Sequence, residues 1–149
     1  MDLRKLNSRS EFEAFVEDLR HRMAAQNRQI YVCCGSVCLS EGAMKIYNKF
    51  QGELEALGIP CNVSMDTHLE DQTTDLKKTG CPGFCNHGPL VRIDPEGWVY
   101  TKVRPDDVDE IIQKSVIEGK YIERLGYDDG FDLIKRKNDV DFYQNQTRR

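Results

Sequence analysis

The chain has no apolar run near the roughly 20 residues that a membrane-crossing helix needs, so membrane insertion is not expected. Its first residues, Met1-Asp2-Leu3-Arg4-Lys5, lack the apolar stretch of a secretory signal. A basic excess is missing too: 21 Lys and Arg stand against 25 Asp and Glu, for a formal net charge of −4. Neutralising phosphates takes clustered cations, so no nucleic-acid partner is expected. No C-x-x-C motif of a thiol–disulfide catalyst occurs, and no dinucleotide-binding glycine fingerprint. Histidine is scarce, with three in all, and only His87 lies beside a cysteine pair. A Rieske-type centre needs two histidines on one iron, so that site is excluded.

What is present suits one domain. A length of 149 residues allows a single core. The hydrophobic fraction of 39% is low for a compact globule, so part of the chain, at one end, is expected outside that core. A mildly acidic surface suits protein partners with basic patches. The expected compartment is the cytoplasm, where thiols stay reduced. Six cysteines there point to metal or catalysis rather than to a disulfide framework.

Periodicity gives the element order. Ser10 and Glu13 form a capping-box pattern, followed by Phe12, Phe15, Val16, Leu19 and Met23 at helical spacing to about Ala25. Gln29 to Cys34 reads as a buried strand ending at Gly35. A helix follows from near Ser40, with Ala43, Ile46, Tyr47, Phe50, Leu54 and Leu57 on one face and Gly58 and Pro60 as its stop. Cys61 to Met65 alternates weakly, as a second strand. Asp66 to Lys78 is polar and reads as a loop or a ragged approach to a strand. After the Gly/Pro-rich segment 79–89 come strands Leu90 to Asp94 and Trp98 to Val103, joined by the turn Asp94-Pro95-Glu96-Gly97. Pro105 opens a last helix, which Gly119 ends. The expected fold is α/β and thioredoxin-like: a βαβ unit plus a β-hairpin and a C-terminal helix, with an extra N-terminal helix. Other α+β layouts share this element list. Periodicity fades at Tyr121. The expected division is a domain at 1–120 and a tail or linker at 121–149.

Four cysteines sit in two short loops. Cys33 and Cys38 are a C-x4-C pair, and Cys81 and Cys85 a C-x3-C pair inside the Gly/Pro loop. In a βαβ fold both loops reach the same end of the sheet. An iron–sulfur cluster wants four thiolates and close backbone N–H groups. Gly35, Gly80, Gly83 and Gly88 remove side chains that would stand in the way. The helix start after Cys38 adds a positive dipole end. Zinc also takes four thiolates, usually from tighter pairs, and stays open as a colourless structural staple of an interaction module. A thioredoxin-fold thiol oxidoreductase using Cys33 and Cys34 is the third alternative. Cys34 faces away from the pair, and Cys61 reads as a small hydrophobe in a strand.

The pattern Cys33-x4-Cys38 before a helix, then Thr79-Gly80-Cys81-x-Gly83-Phe84-Cys85-x-x-Gly88-Pro89-Leu90-Val91, resembles the thioredoxin-like [2Fe–2S] ferredoxins. More narrowly it is similar to the ferredoxin domain at the N-terminus of complex-I-like flavin- and NAD-binding subunits of multisubunit hydrogenases and formate dehydrogenases. The resemblance runs from about Ile30 to Leu125. It implies a [2Fe–2S] cluster on Cys33, Cys38, Cys81 and Cys85, and one-electron transfer within an NAD(P)H-linked redox complex. It implies no turnover by this chain alone, with FMN and NAD(P) bound only by a partner domain or subunit. The segment 139–149 resembles the junction into the flavin domain of those subunits.

Other residues read as structural. His87 is expected as a loop histidine near the cluster, and His21 and His68 as surface residues. Trp98 and Tyr100 read as packing residues of the hairpin. Phe84 is expected to shield the cluster or to pack on the last helix. Asp106 and Asp107 fit a helix N-terminus, and Glu70 and Asp71 a solvated loop.

Overall fold

The computed structural model describes residues 8–24, 28–59, 61–63, 74–128, 130, 133–136 and 139–140, with the side chains of 19–24, 62 and 85 outside the description. A five-stranded sheet has the spatial order β2-β3-β1-β4-β5, formed by β1 (Gln29–Cys33), β2 (Cys61–Asn62), β3 (Thr74–Thr79), β4 (Val91–Asp94) and β5 (Trp98–Tyr100). β1 is central. It pairs in parallel with β3 and antiparallel with β4. Its apolar run Ile30-Tyr31-Val32-Cys33 fits that place, since Ile30, Val32 and Cys33 are all buried.

The helix after β1 is interrupted. A short α2 (Ser36–Ser40) begins in the first cysteine loop itself, four residues before the expected start. Gly42, at φ +97, breaks it, and α3 (Ala43–Ala56) follows. Ala43, Ile46, Tyr47, Phe50 and Leu54 are buried, as their spacing implies. α3 packs on β1, β2 and β3 and against α4. After a 3-10 turn at Pro105–Asp107, α4 (Val108–Glu110) continues as a π-helix over Ile111–Ile117. Lys49 of α3 reaches Asp109 of α4 at 3.0 Å. The core gathers Phe50, Ile30, Leu76, Ile93, Tyr100 and Ile111, each fully buried, under these helices and the sheet.

Three expectations need correction. The strand that pairs with β1 in parallel is β3, at the end of the polar segment read as a loop or a ragged strand approach. Its charged side chains have partners: the Lys77 ammonium lies 2.9 Å from the Asp75 carboxylate, the Gln29 amide donates to Asp75 at 3.5 Å, and Lys78 lies 4.6 Å over the Tyr47 ring. Of the strand expected at 61–65, Cys61 and Asn62 are strand and pair with β3, while 64–73, with His68, Glu70 and Asp71, lie outside the described residues. α1 (Arg9–Ala24) is capped by Ser8, whose hydroxyl accepts the Glu11 amide at 3.1 Å, rather than by Ser10. Phe12 and Phe15 on it are largely exposed, and the side chains of Leu19, His21 and Met23 lie outside the described residues.

Chain beyond 120 also packs. Ile122 and Leu125 are core residues, and Tyr121 stacks on Tyr100 with centroids 5.2 Å apart. A hairpin of β6 (Tyr127–Asp128) and β7 (Leu133–Ile134) then lies beside β5, where the Val99 amide bonds the Lys135 carbonyl at 3.0 Å. Irregular spacing of its apolar residues hides this packing from periodicity.

Replacing Phe50 by Ala is expected to destabilise the chain by about 3–5 kcal/mol through the cavity left in the core. Replacing the exposed Leu57 by Ser should change stability by less than about 0.5 kcal/mol. Urea denaturation followed by circular dichroism measures both, and equal effects would contradict the assigned core.

Candidate functional site

β1 and β3 end side by side, with Cys33 opposite Thr79. The Cys34 amide still bonds the Thr79 carbonyl at 2.8 Å, so the ladder runs one residue further before the two loops open. Both cysteine loops therefore leave from one edge, the carboxyl end of two parallel strands. Cys33 is buried at the strand end, and Cys38 is the buried residue of α2. Cys81 follows β3 by two residues and is exposed.

Two glycines mark where the loops touch. A Cβ on Gly35 would stand 3.0 Å from the Cys81 Cβ and 3.7 Å from the Cys33 Sγ. A Cβ on Gly88 would stand 2.8 Å from the Cys38 Sγ. The structure thus brings Cys33, Cys38 and Cys81 to one place. Cys85 opens the 3-10 turn Cys85–His87 in the same loop, and its side chain lies outside the described residues. Gly83, at φ +99, turns the chain between Cys81 and Cys85, and its amide donates to the Cys81 Sγ at 3.3 Å. Gly80 plays no such packing role, because no protein atom lies within 4 Å of where its Cβ would be.

Burial pushes the Cys33 thiol up to about 11; the Gly35 amide, bonded to its sulfur, opposes this, and the neighbouring Cys38 and Cys81 reinforce it. Cys34 is also raised by burial, partly offset by Lys78. A thiol nucleophile needs the opposite shift. Among the described residues, no three His, Cys, Asp or Glu side chains are grouped closely enough to hold a single metal ion. Cys61 is half-buried against the core.

Among the surrounding aromatics, Phe84 is buried in the core and packs edge-on to Tyr127, with centroids 5.0 Å apart. His87 meets the same ring at 4.8 Å. Tyr100 is a buried packing residue, its hydroxyl 2.7 Å from the Ser115 hydroxyl, and Trp98 packs edge-on to Tyr121. Asp107 accepts the Arg104 amide at 2.8 Å in the first turn before α4, as a helix N-terminus prefers.

Residues 15–116 match the family of thioredoxin-like [2Fe–2S] ferredoxins. The chain belongs to that family. A 2Fe–2S ferredoxin of Aquifex aeolicus (strain VF5) is 31% identical over 110 residues, 68% of this chain and 89% of its own length. The solved thioredoxin-like [2Fe–2S] ferredoxin from Aquifex aeolicus superposes with a TM-score of 0.56 at 28% identity, covering 73% of this chain and 97% of that one. An air-oxidised NAD+-reducing [NiFe]-hydrogenase shares the fold at a TM-score of 0.52 and 15% identity, over 85% of this chain and 23% of the hydrogenase chain.

Membership makes this ferredoxin an electron carrier with a [2Fe–2S] cluster as cofactor. The residues present fit that group. Buried Cys33 and Cys38 and exposed Cys81 gather where Gly35 and Gly88 let the loops approach, sulfur is offered backbone N–H donors, and the described cysteines are free of disulfides. No helix among the described residues is long and apolar enough to cross a membrane.

Gly88→Ala should force the Cys38 sulfur aside and lower iron and sulfide per chain below the wild-type value. Gly80→Ala meets no protein atom and should lower them less. Colorimetric iron and sulfide assays decide, and a fully loaded Gly88→Ala protein would contradict the close approach of the loops.

Proposed function

We propose that Cys33, Cys38, Cys81 and Cys85 hold the cluster, and that the ferredoxin is one relay of an NAD(P)H-linked flavoprotein dehydrogenase or hydrogenase complex. FMN and NAD(P) then sit in a partner domain or subunit, other Fe–S subunits continue the path, and the chain alone turns over no substrate. The observation that carries the ligand set is the meeting of Cys33, Cys38 and Cys81 across Gly35 and Gly88, with Cys85 in the same short loop as Cys81. Support for the complex comes from coverage. The hydrogenase likeness extends over 85% of this chain, against 73% for the Aquifex ferredoxin. The disulfide-free Cys33, Cys34, Cys38 and Cys61 suit the reducing cytoplasm.

When bound, a [2Fe–2S] cluster takes up and returns one electron. The protein's own residues set the terms. Gly35 and Gly83 aim amides at the Cys33 and Cys81 sulfurs, favouring the extra negative charge of the reduced state. Burial of Cys33 and Cys38 limits water on one side, while exposed Cys81 marks the side open to a partner. Exposed Val37 and Leu39 flank Cys38 and add apolar surface beside it.

Single Ser replacements of Cys33, Cys38, Cys81 or Cys85 should each lower iron and sulfide content or change the visible spectrum, and Cys34→Ser and Cys61→Ser should do neither. Full, unchanged loading of any of the first four variants would remove that residue from the ligand set. NADH should bleach the loaded ferredoxin only when a flavin-containing partner is added. Bleaching by NADH without one would overturn the division of labour.

A further inference from the structure

We propose that the hairpin β6–β7 is a strap over the second cysteine loop, and that Tyr127 is a positioning residue for the cluster. The inference rests on Cys81 and Cys85 being ligands. Tyr127 opens β6, and its ring meets Phe84 at 5.0 Å with an interplanar angle of 69° and His87 at 4.8 Å with an angle of 87°. Those two residues stand on either side of Cys85 in sequence. One ring from a distant segment therefore clamps both sides of the turn that carries a ligand. Edge-to-face contacts of this kind are directional, so they fix the loop's attitude as well as cover it.

The backbone shows a common mount for strap and loop. Just past β5, the Thr101 amide bonds the Leu125 carbonyl at 2.7 Å, and its hydroxyl bonds the Gly126 carbonyl at 3.1 Å. The next two residues hold the cysteine loop instead: the Lys102 amide bonds the His87 carbonyl at 2.9 Å, and the Val103 amide the Pro89 carbonyl at 3.0 Å. Lys102 adopts φ +52 to serve its bond, a conformation that non-glycine residues rarely take. Three consecutive residues thus fix Tyr127 against the loop. The chain is close-packed where the strap leaves this mount: a Cβ on Gly126 would stand 2.5 Å from the Tyr121 hydroxyl and 2.6 Å from the Leu133 Cδ1.

The consequence is electrostatic. Water stabilises the more negative, reduced cluster, so a ring that keeps water off the Phe84 side holds the reduction potential down. It also slows attack on the ligand loop by solutes.

Potentiometric titration, chelator-driven bleaching, and iron and sulfide assays on the full chain test this with Tyr127→Phe and Tyr127→Leu. Tyr127→Phe should match wild type, because the ring does the work. Tyr127→Leu should shift the potential upward and bleach measurably faster than wild type. Unchanged potential and bleaching in a loaded Tyr127→Leu protein would overturn the strap and leave the ligand set standing. If Tyr127→Leu does not fold or load, Thr101→Val decides: it keeps every ring and removes one anchor, so a smaller shift of the same sign supports the strap and no shift overturns it. A wild-type chain that takes up no iron or sulfide on reconstitution overturns the ligand set, and the strap with it.

Discussion

Two parallel strands, β1 and β3, end in register at Cys33 and Thr79, and this pairing positions every other part of the site. Residues more than forty apart in sequence must bring their thiols together. Parallel strands open their following loops at one edge, so the pairing does this without a long excursion of the chain. α3 is the crossover that makes the parallel pairing possible, and its buried face fastens it to both strands. A slip of β3 by one residue would turn Leu76 out of the core and carry Cys81 away from Gly35.

Bringing thiols together has an energetic consequence. Burial strips hydration from the Cys33 sulfur, and Cys38 and Cys81 beside it add to the cost, which is why the Cys33 thiol is pushed up to about 11. A cationic iron centre reverses that penalty, so binding and the final shape of the loops are coupled. The backbone prepares for it. Gly35 and Gly88 let the loops approach, and Gly35 and Gly83 turn amides toward sulfur. The loops also contribute to the core, since Cys38, Phe84 and Leu90 are buried with the residues of the sheet and helices.

Chemistry was easier to see in the sequence than topology. The two cysteine pairs and their glycines stand out because cluster ligation restricts spacing and side-chain size together. The faces of α3 and α4 are legible for a similar reason, since a helix buried on one side repeats its apolar residues at fixed intervals. β3 is not legible. Thr74-Asp75-Leu76-Lys77-Lys78-Thr79 has the composition of a loop, and its strand character comes from partners elsewhere: Gln29 for Asp75, Tyr47 for Lys78 and the ladder of β1. The hairpin of β6 and β7 is hidden in the same way, because Tyr121, Ile122 and Leu125 follow no period and are held by Tyr100 and Thr101. Phe12 and Phe15 show the reverse failure, a helical apolar pattern that the described body leaves largely exposed.

The most direct test is electron paramagnetic resonance of the anaerobically purified chain before and after dithionite. A single four-thiolate [2Fe–2S] centre should be silent when oxidised and should give about one unpaired electron per chain when reduced. A chain that stays silent after reduction and contains zinc instead would contradict the electron-transfer account.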